Sequence, residues 1–527
     1  MVDAEVIGRP SLHIKIYKED SLKKRYIYKL ISNVLAFAMN LVTAGLVPRT
    51  LGPKQFGDYS FITNFFSQVI TFFDCGTNYS FYAKISQDHQ YTPVIAFYSG
   101  FILLGSLLSL GFINIINVVG LQSLVWPGQT VTVIFLAAVL AIVGRLIEIP
   151  NKMTDAYGYT VKAEVLKLML KIVATGLIII LSVYQLLTLH MYFAYQYFIL
   201  ILLGITLIVL LARNGHSVFR ISLPTRKEFE ILTRTFYQNS HPLFILSIIS
   251  LIAEIADRWL LQRYSGSTQQ GFFGFSFNIA FFCSVFTTSI TPLLMREFAI
   301  ASKSQDEKAL SKPFSQISPI LYLLSAYFSC FIAVEADNVC AILGGKHYTD
   351  AHLTVALMVL YPMQQTYGQL TGAFLTITGR TKIMRNISSI FLIVGLPITY
   401  FLIAPNSVLG YSFGSTGLAI KTIVLGFIGV NCLLFVCCKL VKVSFYRLLF
   451  YQLIIAGILT ALGCLSRYLV TCFILGENPL IHFALAGIFY SVCVICIAFF
   501  APKLFGIDIS LRDRLARSVL NKVSIIR

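Results

Sequence analysis

The sequence predicts an all-α, polytopic membrane protein that crosses the bilayer about fourteen times. Of its 527 residues, 57% are hydrophobic and 12% charged, and the mean hydropathy of +0.78 lies outside the range of soluble domains. Apolar stretches of about 18 to 28 residues recur from end to end, each long enough to cross a hydrocarbon core as a helix. Transmembrane strands would alternate in polarity, whereas the run from Ile172 to Leu211 contains a single ionisable residue, His190.

Apolar runs and polar breaks divide the chain into an ordered series of predicted spans. They lie near residues 30–48, 59–80, 93–116, 130–150, 164–185, 190–212, 236–261, 271–295, 314–336, 351–378, 383–404, 416–438, 446–468 and 479–501. We expect a MATE-like plan of two parallel six-helix lobes and two additional helices. The predicted units are a basic tail (1–29), the first lobe (30–212), a linker (213–235), the second lobe (236–438), the additional helices (439–501) and a second basic tail (502–527).

The basic residues favour one orientation of these spans. With a cytoplasmic amino terminus, thirty-two of the 41 Lys and Arg residues fall on the inner side. Six are expected outside: Arg49, Lys54, Arg263, Lys346, Lys421 and Arg467. The positive-inside rule therefore predicts that both termini are cytoplasmic. The net charge of +18 is spread over the inner segments, where anionic lipid explains it, so we expect no nucleic-acid partner.

An internal repeat links two outer turns. "VPRTLGPKQFGDYSFITNFF" (Val47 to Phe66) recurs without gaps at an offset of 214, from Leu261 to Phe282. Identical pairs include Arg49 with Arg263, Gly52 with Gly266, Gln55 with Gln269, Gly57 with Gly271 and Asn64 with Asn278. Six spans separate the copies, and an even separation gives two halves of the same orientation. We interpret Arg49 and Arg263 as architectural or outer-gate residues.

A weaker echo lies on the opposite side of the predicted membrane. "AYGYTVK", with Gly158 and Thr160, follows the fourth span, and "TITGRTK", with Gly379 and Thr381, follows the tenth. The positions suit two equivalent halves, but any two short turns use glycine and polar residues, so the sequence leaves both explanations open.

Charged residues inside spans are the candidates for a transport pathway, because burying a charge in lipid is costly. They are Asp74, Arg145, Glu148, Lys171, Glu254, Asp257 and Arg258. Arg145 and Glu148 share a helix face, which is equally consistent with a structural pair and with cavity lining. The spacing of Glu254, Asp257 and Arg258 favours cavity lining. Asn64 and Asn278 are polar candidates for the same cavity, although interhelical hydrogen bonds explain such residues equally well.

Nothing in the loops indicates catalysis. The outer connections are short and hold no cluster of acid, base and nucleophile, so we predict that the protein is not an enzyme and has no catalytic residues. A membrane glycosyltransferase or glycan polymerase would need a larger polar lobe. The 11 cysteines lie mainly in apolar spans, and the Cys493/Cys496 pair lacks further ligands. We expect neither a metal site nor a disulfide framework, and no cofactor.

Two motifs carry a family resemblance. "PRTLGPKQFGDYS" (Pro48 to Ser60) and "FFDCG" (Phe72 to Gly76) resemble the first outer turn and second span of Wzx-type O-antigen flippases, as does "GRTK" at Gly379 to Lys382. These proteins form part of the polysaccharide transporter family in the multidrug/oligosaccharidyl-lipid/polysaccharide exporter (MOP) superfamily. The resemblance is motif-specific over about thirty residues and otherwise rests on span number and length.

The resemblance implies a flippase in the bacterial inner membrane. Its cargo would be an undecaprenyl-pyrophosphate-linked oligosaccharide, moved from the cytoplasmic to the outer face through a V-shaped cavity between two lobes with alternating access. Partners would be the lipid bilayer and, in such systems, a polysaccharide polymerase and a chain-length regulator. Cations such as Arg145, Lys171 or Arg258 would face the phosphates, and Asp74, Glu254 or Asp257 would be the groups for any proton coupling.

One departure and one alternative remain. Related lipid II flippases carry arginines in their first span, but the stretch from Ile31 to Val47 has none, which argues mildly against lipid II as cargo. The alternative function is a multidrug or cation antiporter of the same superfamily, whose cavity tends to be acidic and aromatic. The in-span charges, four acidic and three basic, do not decide between these functions.

Overall fold

A computed structural model describes residues 22–74, 77–87, 92–216, 222–303, 307–473 and 478–505. Throughout these ranges the regular structure is helical, as predicted. The predicted tails and linker lie partly outside the described residues, at 1–21, 217–221 and 506–527. The lobe boundaries given above stay predictions.

The helices follow one another with short connections. Those of the first half are α1 (Leu22–Asp74), α2 (Thr77–Gln87), α3 (Pro93–Val118), α4 (Gln122–Val125), α5 (Val131–Ala156), α6 (Thr160–Val183) and α7 (Leu189–Arg213). Those of the second half are α8 (Arg226–Lys303), α9 (Glu307–Lys312), α10 (Ser318–Val334), α11 (Ala336–Val339), α12 (His352–Met358), α13 (Tyr361–Ile377), α14 (Thr381–Ile403) and α15 (Gly414–Leu440). The chain continues with α16 (Phe445–Phe473) and α17 (Pro479–Phe500). Short π and 3₁₀ turns at Pro313–Ile317, Cys340–Gly344, Gly345–Ala351, Asn406–Val408 and Pro502–Phe505 complete the described chain.

Ten of the described helices are long and apolar enough to cross a membrane. The protein is therefore a multi-pass membrane protein, while the count of fourteen spans stays a prediction. The two longest helices, α1 and α8, are each interrupted by one non-helical glycine. Each of them therefore consists of two helical segments, which we name by their residue numbers.

The interruptions fall on the repeated turn. Gly52 has φ 72° and ψ 166°, and Gly266 has φ 76° and ψ −178°. Side chains with a Cβ rarely adopt this backbone region, which explains why both copies carry glycine. The two halves thus share a backbone conformation at the positions that the sequence repeat pairs.

The weaker echo is also a shared turn. Gly158 and Gly379 have φ of 81° and 70°. In each turn the next amide closes the helix end: Tyr159 donates to the carbonyl of Thr154, and Arg380 to that of Leu375, both at 2.8 Å. Thr160 and Thr381 then begin α6 and α14. The matching geometry favours equivalent elements over two unrelated turns.

The repeated turn caps matching helices. The Oε1 atom of Gln55 accepts the amide of Leu189, the first residue of α7, at 3.1 Å. The Oε1 atom of Gln269 accepts the amide of Ser415, in the first turn of α15, at 2.9 Å. The first amides of a helix have no intrahelical acceptor. Each of the paired glutamines accepts one such amide, so the two glutamines cap equivalent helices in the two halves.

Apolar clusters hold the halves together on the side of the repeated turns. One buried cluster joins Val47, Leu51 and Phe56 of α1 to Phe272 and Phe275 of α8. A further cluster lies within the first half, another joins the first half to Leu232 and Phe236 of α8, and a third continues from the second half into α16 and α17. The core is therefore continuous around the turns.

A polar contact fastens α16 and α17 to the second half. Glu335 is fully buried, and its Oε2 accepts from Asn338 at 2.5 Å and lies 3.4 Å from Nδ1 of His482 in α17. Asp337 pairs at 2.9 Å with Arg467 of α16. Because a buried carboxylate needs partners, these contacts tie the carboxyl-terminal helices to one lobe.

Candidate functional site between the two halves

The repeated turns close the space between the halves on their side. The hydroxyl of Ser267 donates to Oδ1 of Asp58 at 2.5 Å, and Nε2 of Gln129 donates to the same oxygen at 2.7 Å. Nε2 of Gln262 donates to the Ser267 hydroxyl at 3.0 Å. The network joins α1, α8 and the segment that precedes α5.

The connection between α3 and α5 covers this closure from the first half. The indole nitrogen of Trp259 in α8 donates to the carbonyl of Leu124 at 2.8 Å, and Nε2 of Gln262 donates to that of Pro127 at 3.0 Å. Trp126 is buried between Phe65 and Phe66. The hydrogen bonds of Trp259 and Gln262 are made between the halves, so they must break if the halves part at the turns.

Below the turns, residues 53–74 of α1 face residues 226–266 of α8, an interface that we call the first seam. Gln68 donates its side-chain amide to Oε2 of Glu254. Farther along, the rings of Phe72 and Phe244 are 5.8 Å apart. Asn64, one turn before Gln68, has a buried Oδ1 with no hydrogen-bond partner among the described residues. The first seam therefore carries polar groups at a depth where the chain is otherwise apolar.

The second seam joins residues 22–52 of α1 to residues 266–303 of α8. It contains a cavity of about 200 Å³. Its polar lining groups are Asn40, Thr43, Tyr192 and Asn278, and the ring of Phe37 packs edge-on against Phe282 at 5.4 Å. The cavity is uncharged and large enough for several waters or one sugar-sized group.

The repeat offset shows that the two seams differ in charge. Asn40 corresponds to Glu254, and Thr43 to Asp257. Polar residues of the first half are thus replaced by carboxylates in the second. The charged chemistry of the interface is therefore concentrated on α8 and its neighbours.

Asp257 lies in a buried ion pair that the sequence analysis did not foresee. Its Oδ2 accepts from Nζ of Lys421 at 2.5 Å and its Oδ1 from the hydroxyl of Thr399 at 2.7 Å. Lys421 was expected in an outer connection, whereas it lies inside α15 and is 8% exposed. Gly395 leaves room for its stem, because a Cβ there would come within 2.8 Å of the Lys421 Cε. The pair joins α8, α14 and α15.

The Arg258 side chain is held by residues of the α8 segment that follows Gly266. Its Nη1 donates to Oε1 of Gln270 at 3.1 Å, and the guanidinium carbon lies 4.4 Å from the ring centre of Phe273. Gln270 is fully buried and returns a hydrogen bond to the Arg258 carbonyl. Arg258 thus bridges the two segments of α8 beside Gly266, whereas the sequence spacing favoured a place in the cavity lining together with Glu254 and Asp257.

Arg145 has a different partner from the one its spacing suggested. We considered a pair with Glu148, but the Arg145 guanidinium pairs with Asp74. It also donates to the hydroxyl of Tyr98 at 2.7 Å, and Thr77 donates to Oδ1 of Asp74 at 2.7 Å. Both charged side chains are 13% exposed. This cluster joins α1, α2, α3 and α5 within the first half.

Lys171 and Glu148 are the candidates left without a partner among the described residues. The Lys171 side chain is half-buried in α6, one turn before Ala174, which belongs to the apolar cluster with Val47. It makes no ion pair or side-chain hydrogen bond with the part of the chain that the structure describes. An unpaired, half-buried ammonium is a candidate for an anionic ligand, since burial without a partner is unfavourable.

Seven of the nine sequence candidates thus fall into three places, and Lys171 and Glu148 lie apart from them. Glu254, Asn64 and Asn278 lie on the seams, Asp74 and Arg145 form a cluster inside the first half, and Asp257 and Arg258 join elements of the second. Sequence analysis missed Tyr98, Thr399 and Lys421. Lys421 could have been found from its place in the twelfth predicted span, because a lysine inside a span needs a carboxylate partner.

Comparisons with known proteins give the family and the fold. The sequence profile described as "Polysaccharide biosynthesis protein" matches residues 22–292. The lipid II flippase MurJ in an inward closed conformation is similar in structure, with a TM-score of 0.63 at 12% identity over 90% of this chain and 99% of that one.

A multidrug resistance MATE family transporter of the MOP superfamily, in an inward-facing conformation, is also similar. Its TM-score is 0.53 at 14% identity, over 80% of this chain and 99% of that one. No curated protein matches the sequence. At these identities the solved structures show the fold alone, which is similar to that of these two proteins.

The profile spans both copies of the repeated turn and more than half of the chain, and the fold is that of membrane transporters. This chain therefore belongs to the polysaccharide biosynthesis protein family.

Proposed function

We propose that the protein is a flippase that moves undecaprenyl-pyrophosphate-linked oligosaccharide repeat units, such as those of O-antigen, from the cytoplasmic to the outer face of the bacterial inner membrane. The observation that carries this proposal is the polar interface between two like-oriented halves, in a chain of the polysaccharide biosynthesis family. The similar solved structures are a flippase and a transporter rather than enzymes.

The chemistry of the cargo requires such an interface. A sugar head group with a pyrophosphate cannot enter hydrocarbon, because its polar groups would lose their hydrogen bonds. The amides of Asn40, Gln68 and Asn278 supply hydrogen-bond partners along the seams. The prenyl chain is apolar and stays in lipid while the head group passes.

Lys171 is our candidate for the phosphate contact. The other in-span cations already face partners: Arg145 faces Asp74, Lys421 faces Asp257, and Arg258 faces Gln270 and Phe273. Lys171 has no ion pair or side-chain hydrogen bond among the described residues. A lysine ammonium attracts phosphate as a point charge with several donors.

The direction of transport follows from the proposed orientation. With both termini cytoplasmic, the repeated turns would lie on the outer side, where the hydrogen bonds of Asp58, Ser267 and Gln262 hold the halves together. When the membrane potential is negative inside, each negative phosphate charge that moves outward lowers its electrostatic energy by about 2.3 kcal/mol per 100 mV. The membrane potential therefore favours export. A polysaccharide polymerase and a chain-length regulator would act on the exported units.

Deletion of the gene in the source bacterium tests the proposal. We expect loss of the surface glycan and accumulation of the lipid-linked repeat unit, both reversed by the wild-type gene. An unaltered surface glycan together with loss of drug efflux would overturn it. Accumulated lipid II instead of a repeat unit would show that the cargo was assigned wrongly.

A multidrug or cation antiporter remains the second candidate, because Glu254 places an exposed carboxylate on the first seam. A carboxylate there suits a cationic drug better than a pyrophosphate. Glu254→Gln separates the two functions: an antiporter should lose efflux, whereas a flippase that uses Lys171 should keep glycan export.

A further inference from the structure

An apolar cavity opens at the end of the first seam that lies farthest from the repeated turns. Its volume is about 1230 Å³, and half of its lining residues are phenylalanines. Phe72 and Phe73 of α1, Phe101 of α3 and Phe229 and Phe244 of α8 contribute to its walls. We call this cavity the phenylalanine groove.

The size and lining indicate an extended hydrocarbon chain as the occupant. Sites for compact ligands measure about 300–1,000 Å³ and place several polar groups around the ligand. The phenylalanine groove exceeds that range. Among the described residues no charged side chain lines it, and its polar lining residues are two threonines, Thr77 and Thr233. It offers nothing to orient a sugar, a phosphate or a charged drug.

Hydrophobicity alone gives the phenylalanine groove little advantage over the bilayer, because lipid tails are as apolar as its walls. What the groove provides is position. The rings of Phe72 and Phe244 span the first seam, and one turn farther along α1 Gln68 bonds to Glu254. A chain held here has its polar end directed to the interface between the halves.

A second contact with polar groups reinforces this continuity. Phe73 and Phe101 line both the phenylalanine groove and a small neighbouring cavity, which contains Asp74 and Arg145. The groove is therefore continuous with this polar cluster of the first half as well as with the first seam, and it is not an isolated surface depression. Its natural ligand is an amphiphile whose head group enters the interface.

We propose that the phenylalanine groove holds the polyprenyl tail of the lipid-linked cargo while the head group occupies the first seam. This inference rests on the proposed flippase function and adds a tail site to it. Both helices of the first seam, α1 and α8, contribute walls to the groove together with α3, so the cargo tail is the occupant that this continuity favours over a bulk phospholipid.

The test uses a pair of glycines on α3. Gly100 lines the groove, and a Cβ there meets no atom within 4 Å, so an indole in Gly100→Trp can fill the groove without a backbone clash. Gly111 is equally open but lies outside the groove, and Gly111→Trp is the matched control. The probe is undecaprenyl monophosphate with a diazirine near the end of its chain, added to the full-length protein in nanodiscs.

We expect ultraviolet light to attach the probe to groove residues such as Phe101 and Phe229, as located by peptide mass spectrometry. Gly100→Trp should lower this labelling and the translocation of the lipid-linked repeat unit in proteoliposomes by about tenfold, while Gly111→Trp retains both. If the probe labels the groove of the wild-type protein but that protein translocates no glycolipid, the flippase function is rejected while the polyprenyl site is supported.

Two results would overturn the tail site itself. One is translocation by Gly100→Trp at the rate of the Gly111→Trp control, with the wild-type protein active. The other is equal labelling by a phospholipid with a diazirine in its acyl chain that unlabelled undecaprenyl monophosphate does not displace, which would identify an ordinary lipid site.

Discussion

Gly57 and Gly271, which the sequence repeat pairs, pack against each other across the interface. A Cβ at Gly57 would overlap the carbonyl of Ser267 and lie 2.7 Å from the amide nitrogen of Gly271, and a Cβ at Gly271 would overlap the carbonyl of Pro53. The absence of side chains lets the two backbones touch, as small residues do where membrane helices approach closely. The pair thus permits closure at the turns.

Gly57→Ala should therefore keep the halves apart on the turn side. We expect stronger labelling of a cysteine at position 267 (Ser267→Cys, other cysteines replaced) by a membrane-impermeant thiol reagent, and transport lowered about tenfold. Gly111→Ala is the control, because that glycine has open space around it. Labelling equal to that of the control would show that the contact does not determine closure.

Removing Lys421 should destabilise the second half. Lys421→Met leaves the Asp257 carboxylate buried without its cation, which costs about 3–5 kcal/mol. The double variant Lys421→Met/Asp257→Asn should recover most of the loss, as measured by thermal unfolding in detergent. Lys439→Met, on the exposed end of the same helix, is the control. Additive effects of the two substitutions would contradict a buried pair.

Lys171→Met should separate transport from stability. If its ammonium binds phosphate, transport should fall about tenfold or more while the melting temperature stays constant or rises, because an unpaired cation no longer has to be buried. Lys171→Arg should retain part of the activity. The control is Lys167→Met, whose ammonium contacts Glu164 at 3.2 Å. Full transport by Lys171→Met would remove this residue from the site.

His482→Ala should loosen the attachment of α16 and α17. It removes one of the partners of the buried Glu335, at a cost of about 1–3 kcal/mol. We expect a lower melting temperature and faster proteolysis between α15 and α16. His352→Ala is the control, because its ring is 42% exposed and lies 4.0 Å from Asp337. An equal loss in both variants would show that the Glu335 contact does not fasten these helices.

The sequence predicted the elements whose signals are local. The apolar runs predict the helices, and the repeat at an offset of 214 pairs Gly52 with Gly266, the two glycines that interrupt α1 and α8. The partners of the buried charges could not be predicted in this way. Arg145 and Glu148 are neighbours on one helix, but Asp74 reaches Arg145 only because α1 packs against α5. Lys421 meets Asp257 through the same kind of tertiary contact.

The unequal charge of the two seams has a consequence for a molecule passing between them. On the second seam Asn40 presents a neutral dipole, whereas its equivalent on the first seam, Glu254, presents an exposed carboxylate. The backbone is duplicated, but the electrostatic field is not. A passenger therefore meets two unlike walls, and a head group with one anionic end and one neutral end has a preferred orientation from its first contact.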